Sequence, residues 1–260
     1  TNKYISTIEE NITLLKTQLI TVLSDTHPDD PSVIDSQRKT NCSKFLDNFC
    51  ALYTLNYDLL LYWINMSRLE NNPKLKLSDG FHNNVDNEDQ VIWDVTNDHS
   101  QNVFYMHGAL HIYNTGIEYE KITWSKTGMS LKTQITEKIN QEIFPLIVTE
   151  GTSKEKLAKI HSSGYLIRAL KSLHYIKGAL FIYGHSLAEN DDHIFNKLSK
   201  KLEYIFISIY GDPNSNDNKN IKLRAESIKE RFDISTEIIF YQAESANVWD
   251  NNTINPLLRT

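Results

Sequence analysis

Apolar residues recur at steps of three and four near the start of the chain, at Ile5, Ile8, Ile12, Leu15, Leu19 and Val22. That spacing puts them on one face of a helix, which Pro28 and Pro31, set among Asp and Ser, bring to an end. A second helical stretch, around 36–49, leads into the short run Cys50-Ala51-Leu52-Tyr53-Thr54. Beyond it the period changes. Apolar, β-prone runs appear at 103–106, 144–148, 179–183, 204–209 and 238–241, with helical segments at 128–142, 153–174, 190–200 and 218–232. Strands that are apolar throughout and alternate with helices predict an α/β domain, with a mostly parallel sheet covered by helices on both faces.

The stretch 70–102 breaks this rhythm. It is crowded with Asn and Asp and carries Pro73 and Gly80, so it reads as an irregular insertion, which in a compact domain is functional or poorly ordered. No repeat and no domain boundary shows in the pattern, and residues 1–260 read as a single domain. The chain opens Thr1-Asn2-Lys3, without Met, directly into the helical pattern; the expectation is a domain incomplete at its N-terminus.

Composition narrows the function classes. The formal net charge is −6 and the isoelectric point about 5.8. A sequence-independent nucleic-acid binder needs a surplus of Lys and Arg to release phosphate counterions, and direct nucleic-acid binding is not expected. No apolar run approaches the roughly 20 residues that span a bilayer, and no signal peptide is legible. Cys42 and Cys50 could pair only once, which argues against a disulfide-stapled secreted scaffold. The expectation is a cytoplasmic protein without a membrane partner.

In open parallel sheets, ligands bind outside the carboxyl ends of the strands. Here nearly every expected strand ends in small and polar residues: Thr54-Leu55-Asn56-Tyr57-Asp58, His107-Gly108, Thr149-Glu150-Gly151-Thr152-Ser153, Gly184-His185-Ser186 and Gly211-Asp212. Any one of these is also an ordinary turn, because Gly and Asp serve turns well. Five together predict a polar rim and a ligand cleft. Thr152-Ser153-Lys154-Glu155 reads as a capping box, and such a helix start also suits phosphate.

Thr54-Leu55-Asn56-Tyr57-Asp58, then His107-Gly108, then Gly184-His185-Ser186-Leu187 resemble, in order, motifs of sirtuin-like NAD-consuming domains: the Thr-Gln-Asn-hydrophobic-Asp segment, the catalytic His-Gly and the Gly-Thr-Ser-Leu adenosine-side loop. The phrases at 53–63, 102–112, 149–160, 180–193 and 208–213 look closer still to the bacterial domain-of-unknown-function family 4917. The resemblance implies a Rossmann-like, sirtuin-like fold that holds NAD as substrate or ligand. It implies that Asn56 touches the nicotinamide-side ribose, that Asp58 is its charge-stabilising neighbour, and that His107 is the general base, its ring titrating near neutrality. Thr54 and Gly108 belong to the same motifs, Gly184, Ser186 and Leu187 to the adenosine side, and Gly211 and Asp212 to the cofactor rim. The implied reaction is hydrolysis of NAD to nicotinamide and ADP-ribose through an oxocarbenium-like state, in a setting of bacterial antiviral defence. The alternative is a catalytically silent NAD- or ADP-ribose-binding sensor or scaffold. A homo-oligomer or a partner subunit stays open.

Three departures qualify the likeness. Leu55 stands where sirtuins have Gln. The glycine-rich first strand and loop has no match, since none of the nine glycines precedes Gly80, and it is expected upstream of Thr1. The four cysteines of a sirtuin zinc module are absent, so no zinc is expected, and hydrolysis of NAD, or transfer of its ADP-ribose, is favoured over deacetylation of a peptide.

Two rivals fail on geometry. Tyr183-Gly184-His185-Ser186-Leu187-Ala188 resembles the nucleophile elbow of α/β-hydrolases, but the last histidine, His193, follows Ser186 by only seven residues, too close for the distant triad partner. His107 and His111 would form a metal pair only on a helix, and with Gly108 between them no metal site is expected. Tyr57 and Trp63 read as core, and Trp124, Ser125 and Tyr165 are candidates to line the cleft.

Overall fold

The computed structural model describes residues 27–28, 30–95, 100–149, 151–230 and 236–250, with positions 11, 13, 14, 17, 18, 21 and 22. The helix expected from Ile5 to Val22 lies largely outside the described residues. In chain order the elements are α1 (Ser36–Leu46), β1 (Leu52–Thr54), α2 (Leu60–Asn71), β2 (Phe81–Asn83), β3 (Val91–Trp93), β4 (Val103–Tyr105), β5 (Gly108–Asn114) and β6 (Tyr119–Lys121). There follow α3 (Trp124–Thr127), α4 (Leu131–Asn140), β7 (Pro145–Ile147), α5 (Ser153–His161), α6 (Gly164–Ser172), β8 (Gly178–Ile182), α7 (Asp192–Phe195), β9 (Leu202–Ile209), α8 (Asn216–Lys229) and β10 (Glu237–Gln242). The fold is α/β, with parallel and antiparallel sheets. The chain divides into two compact units, one of residues 1–35 with 50–147, the other of 36–49 with 148–260.

In the first unit β1 and β4 form a parallel pair, Leu52 opposite Val103 and Thr54 opposite Tyr105. Both are short, and the Tyr53 and Phe104 rings stack at 4.8 Å across them, the kind of cross-strand aromatic contact that stabilises short pairings. The other sheet of this unit runs β2-β3-β6-β5-β7 and is antiparallel throughout. The expectation of a mostly parallel sheet therefore holds for β1 and β4 and for the second unit, and not here. The cause is β5. Its residues from Gly108 to Tyr113 are all buried, yet Gly108 and His111 make the run read as a strand end and turn. The irregular stretch 70–102 contains β2 and β3, closed by Asn84 and Gln90, which pair through backbone and side chains. Strands of three residues are too short to show a period.

The second unit follows expectation more closely. β8, β9 and β10 form a parallel sheet in the order β10-β9-β8, and α8 connects β9 to β10. Ile205, Ile207 and Ile209 of β9 are buried, and Phe181 and Phe206 stack across β8 and β9 at 4.3 Å. Phe45 and Phe49, at the end of α1 and just after it, pack against Tyr183 and Phe181. The helix expected over 153–174 breaks at Ser163, which caps α6 by accepting the Leu166 N–H. The helix expected over 190–200 shrinks to α7, preceded by a 3₁₀ turn at Glu189–Asp191. The capping box is present: Thr152 Oγ1 accepts the Glu155 N–H and Glu155 accepts the Thr152 N–H. Thr152→Ala is expected to lower stability by about 1 kcal/mol, the usual loss on removing an N-cap side chain. Urea unfolding measures it, and an unchanged midpoint would mean that water replaces the cap without loss. Among the described residues no helix is long and apolar enough to cross a membrane.

Candidate functional site

Two clusters of the expected site residues are brought together, one in each unit. In the first, the parallel register of β1 and β4 decides the outcome. Because Thr54 lies opposite Tyr105, the segments leaving the two strands run side by side. Met106 N–H donates to the Thr54 carbonyl and Leu110 N–H to that of Tyr57, both at 2.9 Å. Thr54, Asn56, Asp58, His107 and Gly108 thus share one strand-end region, although about fifty residues separate the two motifs.

Their local duties differ. Thr54 Oγ1 accepts the Asn56 N–H at 3.1 Å, bending the chain so that Asn56 is exposed. Asp58 Oδ1 accepts the Leu60 N–H at 2.9 Å, satisfying one of the free donors at the start of α2, and His27 Nε2 accepts the Leu59 N–H at 2.8 Å. Asp58 is therefore committed, at least through one oxygen, to beginning a helix. His107 is 3% exposed in the tight turn that separates β4 from β5. Gly108, at φ +77°, lies against β7 so closely that a Cβ would stand 1.8 Å from the Leu146 carbonyl oxygen. The His-Gly glycine is demanded by packing, whatever else it does. Trp63 is core, as expected.

The second cluster lies at the carboxyl edge of β8, β9 and β10. Gly184 N–H donates to Ser208 Oγ and Gly211 N–H to Glu244 Oε1, each at 2.9 Å. Asn218 Nδ2, from the first turn of α8, donates to the carbonyls of Tyr210 and Asp212. These bonds shape the turns and occupy the glycine amides that a phosphate would otherwise use. Ser186 is exposed at this edge, as is Asp212, whose Oδ1 accepts the Asn214 N–H at 2.9 Å. Leu187 is fully buried in left-handed backbone, φ +56°, a conformation that costs a branched residue energy. Its N–H donates to His185 Nδ1, and its carbonyl accepts from Arg224 Nε. Its side chain is core.

Sequence reasoning missed the polar network beside this edge. Asp191 accepts from Lys156 Nζ at 2.8 Å through one oxygen and from His185 Nε2 at 3.2 Å through the other. Since the Leu187 N–H donates to Nδ1 of His185, Nδ1 is the acceptor of that ring and Nε2 the donor to Asp191. Lys156 is 5% exposed, so its ammonium is held by the carboxylate. His193 is buried beside Ser153 Oγ at 3.4 Å, and burial above all holds its pKa below the ordinary range, against the opposing pull of the Asp191 charge. One signal was available: Lys156 shares a helix face with Ile160, four residues on, which is a buried position.

Trp124 is exposed, and Tyr165 is fully buried.

A family model described as Domain of unknown function (DUF4917) matches residues 2–249. No curated protein and no solved structure matches the chain.

Proposed function

The chain belongs to the DUF4917 family, and from that premise we propose that it binds NAD and hydrolyses it to nicotinamide and ADP-ribose. The observation that carries the proposal is the register of β1 and β4, which sets the Asn56 segment beside the His107 turn. Two motifs whose order resembles that of sirtuin-like domains thereby meet at a strand end, where open α/β sheets place their ligands. In the proposed reaction the glycosidic bond from ribose to nicotinamide breaks and its electron pair leaves with the nicotinamide nitrogen. Water adds to the anomeric carbon, and its proton passes to the His107 ring. Asn56 orients the water or the ribose hydroxyls. The adenosine-side assignment of Gly184 and Ser186 rests on the resemblance, and Leu187, with its side chain buried and its N–H and carbonyl engaged, supports the turn rather than the ligand.

The intact chain incubated with NAD is expected to release nicotinamide, followed by chromatography. His107→Gln is expected to slow release by about a hundredfold or more, the usual worth of a positioned general base, and Asn56→Ala to slow it as well by loss of orientation, each with unchanged circular dichroism. A chain that releases no nicotinamide over hours ends the enzyme reading. A second reading, binding without turnover, is favoured by one observation: the Asp58 carboxylate is occupied at the start of α2. In that case NAD raises the melting temperature and is recovered intact. Action in antiviral defence, the setting the resemblance implies, is proposed on the same footing. It predicts that a phage-challenged bacterial host loses NAD with the native chain and keeps it with His107→Gln; equal loss in both would refute it.

A further inference from the structure

Within the unit containing residues 50–147, a cleft of about 210 Å3 opens among α2, the segment leading into β2, and strands β4 and β6. Met66, Leu69 and Val103 form its apolar wall, and Tyr62, Asn65, Asp79 and Lys121 its polar side. The hydrogen bonds divide the polar groups unevenly. Asp79 Oδ1 accepts the Phe81 N–H at 3.2 Å and Oδ2 accepts from Lys121 Nζ at 2.7 Å; the two side chains are 15% and 9% exposed. Asn65 Oδ1 accepts from Arg68 Nη1 at 2.9 Å. Arginine only donates, so that bond fixes which end of the Asn65 amide is oxygen and leaves its Nδ2 hydrogens for another acceptor. An ammonium has three N–H groups, and Asp79 takes one from Lys121. The Tyr62 phenol is pushed up to about 12, by burial first and then by the Asp79 charge, so it keeps its proton and can donate. The Asp79 and Asn65 oxygens are each engaged, while Lys121 (which also lies over the Phe81 ring at 5.2 Å), Tyr62 and Asn65 keep hydrogens to donate.

We propose that this cleft binds a small, mainly apolar molecule through a carbonyl or carboxylate oxygen, received by Lys121, Tyr62 and Asn65. A ligand oxygen would accept from the hydrogen-bonding capacity that Lys121, Tyr62 and Asn65 retain, while its apolar body covers Met66, Leu69 and Val103. The space is below the roughly 300–1,000 Å3 of pockets for drug-sized ligands, which limits the occupant to a small metabolite. None of these residues belongs to the proposed NAD chemistry, so the two assignments stand or fall separately.

The chain has three methionines, Met66, Met106 and Met129, and labelling with methyl-13C methionine gives one reporter in the cleft and two outside it. Benzoate, benzamide and benzylamine share a ring and differ in the group they offer. Saturable movement of the Met66 methyl is expected with millimolar benzoate, benzamide or both, with Met106 and Met129 still; saturation by one alone identifies the carboxylate or the neutral carbonyl. Benzylamine, a donor without an acceptor, is expected to bind at least about tenfold more weakly. Leu69→Trp, which fills the cleft, is expected to abolish the shift. The proposal is overturned if no probe moves Met66 saturably, or if benzylamine binds as tightly as the other two. It is also overturned if a folded Leu69→Trp protein still binds. Should that variant not fold, the native titrations alone decide.

Discussion

Gly108→Ala is expected to lose the native fold of its unit, with a destabilisation on the order of 4 kcal/mol or more, in the range reserved for severe steric and backbone conflicts. Two effects add. At φ +77° an L-residue carries a left-handed penalty of about 1–2 kcal/mol. The new methyl would also sit 1.8 Å from the Leu146 carbonyl oxygen and 2.7 Å from its carbonyl carbon, both backbone atoms of a paired strand that cannot swing aside as a side-chain tip can. Relief requires β5 and β7 to separate where Gly108 pairs with Ile147. Gly116→Ala is the control, since Gly116 has φ +86° but open space where its Cβ would be, and only the backbone penalty of about 1–2 kcal/mol is expected. Urea unfolding of both variants separates steric from conformational cost. Equal midpoints would show that β7 gives way easily. One consequence bears on function: lost activity in a Gly108 variant reports packing, so only Asn56 and His107 test the chemistry.

Acidification is expected to weaken this unit through His111, and His111→Leu to remove that sensitivity. His111 lies on β5, fully buried between the rings of Tyr62 and Tyr105 at 4.9 and 5.1 Å, with neither ring nitrogen hydrogen-bonded to a described residue. Burial is the main cause that lowers its pKa to about 3; the Lys121 charge adds to this and the Asp79 charge opposes it. An unfolded histidine titrates near 6.5. Between those values the unfolded chain binds a proton that the folded chain refuses, so the contribution is complete above about pH 6.5 and declines as pH falls towards 3. The slope is about 1.4 kcal/mol per pH unit, or about 3 kcal/mol between pH 6.5 and 4. Urea unfolding across that range should show the native and His111→Leu curves diverging steadily. Parallel curves would mean that the ring gains its proton without leaving the core. At neutral pH the leucine protein is expected to be at least as stable, because two polar atoms without a described partner leave a fully buried site.

The histidine also shows why motif reasoning stopped where it did. His107 and His111 are four residues apart in the same short stretch, and neither lies on a helix. One is in a turn beside the Asn56 segment and the other is sealed in a strand. Separating them required knowing that β4 ends at Tyr105 and that the chain resumes as β5 three residues later. Lys156 presents the same difficulty in the other unit. A lysine in a capped helix reads as solvated, yet it is buried because Asp191, 35 residues on, receives it.

The linear pattern alone determined the α/β alternation, the places of β4, β7, β8, β9 and β10, the helix between β9 and β10, and the capping box at Thr152. These rest on neighbours within one or two turns, or on unbroken apolar runs, and such interactions are written locally in the chain. Only the tertiary structure decided that β5 joins an antiparallel sheet, that Gly108 touches a β7 carbonyl, that His111 is fully buried, and that Asp79 and Lys121 pair on one side of a cleft. Each depends on residues distant in the chain meeting in one register, and strand pairing takes its energy from the partner as much as from the strand itself.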